Sequence, residues 1–178
     1  MSKIAVVDFD GVIADMTIHT QIARERAHAF ALQQAPDPES KAYRKAASAF
    51  FYSEEGYFDQ DLLELDQPVI GSREALRQLL QEYDEVIVLT SRPPSLQEAT
   101  LAWFRRYFPE QEAITFLFKE SHEHEIKTAV WKAQIVAQFA KRCETVLFID
   151  DDERNRKAVE ALAAELSHVT IVVRSQLV

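Results

Sequence analysis

The sequence predicts an α/β fold, with a parallel five-stranded sheet flanked by helices and one small helical insertion. Short apolar runs, rich in β-branched residues, have the composition of buried parallel strands. After residue 66, segments of helical pattern alternate with these runs, which is the order of βαβ units with right-handed crossovers. We therefore expect a core of residues 1–15 and 67–178 and an insertion of residues 16–66.

Each predicted element has its own local signals. Pro36 and Pro38 divide the insertion into two helices, because proline cannot continue a helix. Ser95 and Glu98 form a capping box, which predicts that a helix starts there. The predicted strands are Ile4–Asp8, Glu85–Leu89, Ala113–Phe118, Thr145–Ile149 and Val169–Val173. The predicted helices are Thr17–Gln34, Glu39–Phe51, Gly71 or Ser72 to Tyr83, Ser95–Tyr107, Ala129–Lys141 and Glu153–Leu166.

Charge and cysteine content limit the classes of partner and compartment. The formal charge is −9, from 29 acidic and 20 basic residues, which argues against general binding of nucleic acid or anionic membranes. The one cysteine, Cys143, excludes an intramolecular disulfide, and its place between a helix end and a strand start indicates a structural role. With no leader and no apolar stretch long enough to span a membrane, we expect a cytoplasmic protein.

The stretch Val6–Val12 ends the first strand with two acids. Side chains at positions i and i+2 of a strand lie on the same face, so Asp8 and Asp10 would project into one small volume. Such carboxylates repel each other unless a cation lies between them or one stays protonated, and Gly11 permits a sharp turn. A polar strand end or a calcium-binding loop would also carry these acids. The preceding strand and the lack of a closing Glu disfavour calcium.

Polar clusters end three of the predicted strands. Strand ends often carry turn-forming Asp and Thr, so one such cluster alone would indicate little. In a parallel sheet, however, these ends lie at one edge, where open α/β sheets bind ligands. Three coincident clusters therefore favour a functional site. The residues are Asp8, Asp10, Thr90, Ser91, Asp150, Asp151 and Asp152.

With these motifs in order, the chain resembles the haloacid dehalogenase-like (HAD) superfamily of phosphotransferases and phosphatases. The first family motif, hhhhD-x-D-G, is matched by Val6–Gly11, and the second, a strand ending in Thr or Ser, by Val88–Thr90. The fourth, a strand ending in paired acids, is matched by Leu147–Asp151. The resemblance covers nearly all of the chain outside the insertion. It implies a Rossmann-like, HAD-like core with residues 16–66 as a small cap.

The third family motif is a lysine, for which the sequence offers two candidates. Lys132 lies on the helix that leads into the Asp150 strand, and Lys127 lies at the junction of a loop and that helix. The stretch Val130–Asp151 is locally similar to the phosphatase half of phage polynucleotide kinase, whose spacing favours Lys132. Lys127 fits other family branches, and either lysine alone would more often be solvated surface.

The residue types predict phosphoryl-transfer chemistry. Asp8 would attack phosphorus and form an aspartyl-phosphate, while Asp10 would act as general acid and then as general base. The resemblance implies Mg²⁺ bound by Asp8, the Asp10 backbone carbonyl and Asp150, with direct or indirect support from Asp151. An acid at position 10 favours phosphate over halide chemistry, because a leaving halide needs no proton.

Further residues are candidates for substrate contacts. Thr90 would bind a phosphoryl oxygen, with Ser91 and Lys127 as further candidates for binding the substrate, and the motif lysine would neutralise charge and hold Asp8 in place. Arg92 would either bind a distal phosphate or cover the surface, and Asp152 is expected to cap the next helix. Aromatic and basic residues of the insertion would either contact an aromatic phosphorylated substrate or, for the aromatics, only pack the cap onto the core. These are Arg24, Arg26, Tyr43, Arg44, Lys45, Phe51, Tyr52, Tyr57 and Phe58.

The leading hypothesis is a Mg²⁺-dependent phosphomonoester hydrolase that acts on a small phosphorylated metabolite or nucleotide. One alternative is a 3′-end polynucleotide phosphatase, although the acidic charge disfavours nucleic acid as a partner. A second alternative is a non-catalytic regulatory or binding protein on the same fold. No zinc pattern is present, and His122 with His124 forms at most an opportunistic metal pair.

Overall fold

The computed structural model describes residues 2–109, 112–123 and 125–177 and confirms the predicted α/β fold. The strands of the described chain are β1 (Lys3–Val7), β2 (Ala14–Asp15), β3 (Gln67–Pro68), β4 (Glu85–Thr90), β5 (Thr115–Phe118), β6 (Thr145–Ile149) and β7 (Thr170–Arg174). The main sheet is parallel, with the order β5-β4-β1-β6-β7. The short strands β2 and β3 form a separate antiparallel pair.

The helices lie between these strands in the predicted sequence order. Over the same residues they are α1 (Thr17–Gln34), α2 (Lys41–Phe51), α3 (Gln60–Leu63), α4 (Ser72–Glu82), α5 (Gln97–Tyr107), α6 (Thr128–Ala140) and α7 (Glu153–Ala163). Single turns of 3₁₀ helix occur at Pro94–Leu96 and Ser121–Glu123. Helix α3 and the β2–β3 pair were not predicted. Within the described chain, every helix is too short or too polar to cross a lipid bilayer.

The central strand β1 is buried on both faces, as its continuous apolar sequence predicts. Residues Ile4 to Val7 are all 0% exposed. Ala5 and Val7 belong to the apolar cluster formed with α4 and α5, whereas Ile4 and Val6 belong to the cluster formed with α6 and α7. The sheet is therefore covered by helices on both sides, and the carboxyl ends of its strands remain available for a site at one edge.

The insertion forms two packed helices. Helix α1 buries Ala23, Ala27 and Ala31, which recur at intervals of four residues on one helical face. Phe30 of α1 stacks on Phe50 of α2, with ring centroids 4.7 Å apart. Whether residues 16–66 form a separate cap unit remains a prediction, although their helices are distinct from those that cover the sheet.

The predicted capping box at Ser95 is wrong. Helix α5 begins at Gln97, and its N-cap is Leu96, whose side chain forms no capping hydrogen bond. The prolines explain the difference, because Pro94 has the fixed backbone angle of a first helical position and starts a 3₁₀ turn before the α-helix. Smaller corrections also apply: α2 begins at Lys41 with Ser40 as its cap, β5 begins at Thr115, and α7 ends at Ala163.

Cys143 has the structural place that the sequence predicts. It lies between α6 and β6, is buried, and its Sγ lies 3.2 Å from the carbonyl oxygen of Phe139. Burial raises the pKa of the thiol, so it is a poor nucleophile at neutral pH.

Candidate active site

The chain leaves β1 at Val7 and places two acids beside one cavity. The Asp8 amide donates to the carbonyl of Ile149 at 2.8 Å, so pairing with β6 continues one residue beyond the strand. Phe9, between the acids, is fully buried, and its ring packs edge-on against Trp103 at 5.2 Å. Because this apolar side chain is buried in the core, the acids on either side both line the cavity, as the alternation of strand side chains predicts.

Gly11 allows the chain to pass close to the acid that follows β6. Its φ is +76°, a conformation that side chains with a Cβ rarely adopt. A Cβ atom at this position would lie 2.3 Å from Oδ2 of Asp151. A glycine is therefore required here both for the turn and for the approach of the Asp8–Gly11 segment to Asp151.

Lys132 joins the acids of β1 and β6. It is 1% exposed, and its Nζ lies 2.7 Å from Asp8 Oδ2 and 2.7 Å from Asp150 Oδ2. The other candidate, Lys127, is exposed at the N-cap of α6 and does not line the cavity. The structure thus brings Lys132, rather than Lys127, to the acids.

Asp150 is the most extensively bonded acid of the site. It is fully buried and accepts hydrogen bonds from Lys132, from the Asp152 amide at 2.9 Å, and from Asn155 Nδ2, which lies 3.0 Å from both oxygens. Arg156 Nη1 also donates to the carbonyls of Asp150 and Asp151, at 2.8 and 2.6 Å. Sequence reasoning missed Asn155 and Arg156. Both could have been found as polar residues in the first turn of the helix that directly follows the acids after β6.

Three carboxylates meet closely enough to share a cation. Asp8, Asp150 and Asp151 each offer an oxygen, and these oxygens lie within 4.8 Å of one another. At that separation each ionised pair would repel by roughly 3 kcal/mol or more at an effective dielectric constant of about 20. The Lys132 ammonium offsets only one of the three negative charges. A hard divalent cation with oxygen ligands fits both the donor set and the remaining charge.

The protonation of these acids reflects the same crowding. Burial raises the pKa of Asp8 well above its ordinary range, with contributions from Asp150 and Asp10, while Lys132 acts in the opposite direction. Burial and the neighbouring Asp150 also raise the pKa of Asp151. The Asp10 carboxylate lies outside the cluster of three, and the predicted ligand at this residue was its backbone carbonyl.

Arg92 has neither of the places expected for it. It is 2% exposed, so it does not cover the surface, and it does not line the cavity in which a distal phosphate would bind. Its Nε and Nη2 lie 3.0 and 2.7 Å from Asp10 Oδ1, and its guanidinium lies over the ring of Phe9. The side chain of Arg92 can be buried because acidic side chains in the core neutralise its charge. The residues next to Arg92 in the sequence do not reveal these partners.

The residues beside Arg92 differ in exposure. Thr90 is fully buried, and its Oγ1 accepts a hydrogen bond from the Arg92 amide at 3.2 Å, whereas Ser91 lines the cavity. Asp152 caps α7 as predicted, since its side chain accepts from the Arg154 amide at 2.8 Å, and it also lines the cavity.

The cavity has a volume of about 690 Å³ and lies between the acids and the inserted helices. Arg24, Phe51, Tyr52 and Tyr57 line its insertion side, and a second cavity of about 350 Å³ shares the first three of them. Phe51 also stacks on Tyr57 at 5.2 Å, so the aromatics both pack together and face the cavity.

The other candidates from the insertion lie elsewhere. Tyr43 lines only the second cavity, and Arg26 pairs with Asp59. Arg44, Lys45 and Phe58 line neither cavity. His122 is exposed, and its suggested partner His124 lies outside the described residues.

Comparison with known proteins identifies the fold. No protein-family model and no curated protein sequence matches the chain at a significant level. The HAD phosphatase from Thermococcus onnurineus is similar in structure, with a TM-score of 0.58 and 11% identity over 96% of this chain and 85% of that one. Protein Tyrosine Kinase A of Mycobacterium tuberculosis gives 0.56 and 17%, covering 96% and 82%. A hydrolase from Streptococcus pneumoniae gives 0.54 and 11%, covering 96% and 90%. The chain has the HAD-like fold.

Proposed function

We propose that this chain is a HAD phosphatase, which hydrolyses phosphomonoesters through an aspartyl-phosphate on Asp8. The observation that carries the proposal is the position of Lys132, whose ammonium lies 2.7 Å from both Asp8 and Asp150 beside the 690 Å³ cavity. Apolar packing would stabilise the fold about as well as a buried cation between two acids, so stability alone does not explain this cation at the carboxyl edge of a parallel sheet. It does serve phosphoryl transfer, in which negative charge must be neutralised in a fixed geometry.

In the first step, a carboxylate oxygen of Asp8 forms a bond to phosphorus as the bond from phosphorus to the ester oxygen breaks. Lys132 holds Asp8 through Oδ2, and the Phe9 amide donates to Oδ1 at 2.8 Å, so the carboxylate is held in one orientation. Asp10 gives its proton to the departing ester oxygen, and the alcohol leaves.

In the second step, Asp10 takes a proton from water, and the resulting hydroxide attacks phosphorus. The bond between phosphorus and Asp8 then breaks, which restores the carboxylate and releases inorganic phosphate. Asp10 ends the cycle protonated, ready for the next ester. The partial exposure of Asp10, at 21%, gives it access to the cavity and hence to water.

We propose Mg²⁺ as the cation of this site. Asp8, Asp150 and Asp151 would hold it through carboxylate oxygens, with the Asp10 backbone carbonyl as the further ligand expected from the family resemblance. Bound there, the ion would supply positive charge that offsets the repulsion between Asp8 and a phosphate dianion.

We propose a small phosphorylated metabolite or a nucleotide as the substrate. Arg24 is exposed at the junction of the two cavities and forms no ion pair with any other described residue. Tyr52 is 63% exposed at the same junction. A guanidinium and an aromatic ring beyond the acids favour a substrate whose leaving group carries a polar or anionic group and a flat ring.

Hydrolysis of a phosphomonoester panel tests the proposal. The panel holds nucleotides, sugar phosphates and 3′-phosphorylated oligonucleotides, each assayed with and without Mg²⁺. We expect Mg²⁺-dependent phosphate release that disappears in Asp8→Asn. Glu112→Gln, which changes an exposed acid that does not line the cavity, should retain it. Selective action on the oligonucleotides would favour the polynucleotide alternative, and no release from any compound would favour a binding protein.

A further inference from the structure

A chain of buried polar side chains connects helix α1 to Asp10. His19 Nδ1 lies 2.9 Å from Asp66 Oδ1, and Asp66 Oδ2 lies 3.0 Å from Arg92 Nη2. Arg92 then contacts Asp10 Oδ1 through Nη2 at 2.7 Å and Nε at 3.0 Å. His19, Asp66 and Arg92 are 1%, 0% and 2% exposed, so only Asp10 reaches the cavity.

The guanidinium of Arg92 has no freedom to turn. Its Nη1 donates to Thr100 Oγ1 at 3.1 Å, in addition to the contacts with the two acids. Asp66 is also held in place, because its backbone carbonyl accepts a hydrogen bond from Trp103 Nε1 at 3.0 Å. The orientation of the planar guanidinium is therefore fixed by residues of the core and of the inserted segment.

The hydrogen bonds of His19 indicate that it shares one additional proton with Asp66. Its Nε2 lies 2.9 Å from the carbonyl oxygen of Tyr57, which can only accept, and its Nδ1 faces the Asp66 carboxyl group. A neutral imidazole carries one N–H proton, which is here on Nε2. A second proton must therefore lie between Nδ1 and the Asp66 carboxyl group, shared by the two residues. Once Asp10 has given its proton to the leaving group, this shared proton and the Arg92 guanidinium balance the carboxylates of Asp66 and Asp10, which offsets the cost of burying them.

We infer that Arg92 is a positioning residue for Asp10 and that Asp66 and His19 hold Arg92 in place. The guanidinium engages only Oδ1 of Asp10, which leaves Oδ2 for proton transfer at the leaving oxygen. Proton transfer by Asp10 thereby depends on the position of helix α1, which carries His19. The inference rests on the proposed phosphatase function, in which Asp10 is the acid and base.

Leaving-group dependence tests this role. We would measure kcat/KM, which reports the first irreversible step, for p-nitrophenyl phosphate and for an alkyl phosphate. The nitrophenolate leaves without a proton, whereas the alkoxide requires one from Asp10. In Arg92→Lys and Asp66→Asn we expect at least a tenfold greater loss on the alkyl ester than on the aryl ester. Equal losses on both esters would overturn the inference.

Two controls separate positioning from substrate binding and from folding. The inhibition constant of inorganic phosphate should not change in Arg92→Lys, and a large rise would instead assign Arg92 to phosphate binding. Trp103→Phe removes the indole N–H bond that fixes Asp66 but leaves the charges, so its selective loss on the alkyl ester should be smaller than that of Asp66→Asn. If Arg92→Lys fails to fold, Thr100→Val removes one contact of the guanidinium and should give a smaller selective loss.

A measurement without turnover keeps this inference separate from the phosphatase proposal. In the ¹⁵N spectrum of the wild type, we expect the Nε–H of Arg92 to exchange slowly with solvent. Asp10→Asn and His19→Gln should each accelerate that exchange at least tenfold. Asp10 accepts the Nε–H proton of Arg92, and a glutamine at position 19 cannot carry the proton that His19 shares with Asp66. Unchanged exchange in both variants would overturn the network, whether or not the wild type hydrolyses the panel.

Discussion

The Lys132 ammonium lies 2.7 Å from Asp8 Oδ2, and both side chains are almost completely buried. Burial lowers the pKa of the lysine, but the carboxylates of Asp8 and Asp150 outweigh it and hold the pKa above its ordinary value. The lysine is therefore charged throughout the physiological range. One fixed cation thus orients the proposed nucleophile and neutralises part of its charge.

Lys132→Met should remove most of the activity. We expect kcat to fall by about 10²–10³-fold, the range found when one charge-stabilising group is removed from an active site. Lys127→Met is the matched control, because Lys127 is an exposed lysine at the N-cap of the helix that carries Lys132, and its kcat should stay within twofold of the wild type. Steady-state kinetics on the best substrate of the panel measures both. A larger loss in Lys127→Met would show that the two lysines have been assigned in the wrong order.

Gly11→Ala should impair both stability and activity. The left-handed backbone would cost about 1–2 kcal/mol for a residue with a Cβ, and the contact with Asp151 would displace an acid of the site. Gly71→Ala shares the positive φ, at 84°, but lies at the N-cap of α4. Denaturant unfolding should therefore show losses in both variants, with activity lost only in Gly11→Ala. Full activity in Gly11→Ala would contradict the close packing against Asp151.

Local sequence rules predicted the sheet and the acids of the site. Apolar runs identify the strands of a parallel sheet, and the residues that follow them must lie at one edge, so Asp8 and Asp150 needed no tertiary information. The family spacing favoured Lys132 over Lys127, but only the folded chain shows that Lys132 is buried between the acids and that Lys127 is exposed. The partners of Arg92 were also out of reach, since Asp10 and Asp66 lie 82 and 26 positions away from it and meet it only in the folded chain.

A divalent cation should stabilise the folded protein. Three carboxylates that repel each other in its absence would become ligands in its presence, so Mg²⁺ should raise the melting temperature. At 100 times its dissociation constant, a ligand of the native state alone adds about 2.7 kcal/mol. Asp151→Asn should abolish the shift, whereas Glu112→Gln should retain it. An equal shift in both variants, measured by differential scanning fluorimetry, would place the cation elsewhere.

Arg24 should contribute to substrate choice rather than to chemistry. Arg24→Met removes a guanidinium that lines both cavities, so KM for the best substrate should rise about tenfold with kcat nearly unchanged. Arg44→Met is the control, because Arg44 is an exposed arginine of α2 that lines neither cavity. Hydrolysis of p-nitrophenyl phosphate, which lacks the extended leaving group, should be equal in both. If Arg44→Met raises KM as much, general surface charge and not the cavity selects the substrate.

The most direct test of the central claim is chemical trapping of the aspartyl-phosphate. The enzyme would be quenched during turnover, reduced with borohydride, digested and sequenced by mass spectrometry, which converts a phosphorylated aspartate to homoserine. We predict homoserine at position 8 only when substrate is present, and none at the other acids of the site. Homoserine at Asp10, Asp150 or Asp151, or continued turnover of Asp8→Asn with no trapped residue, would contradict the assignment of Asp8 as the nucleophile.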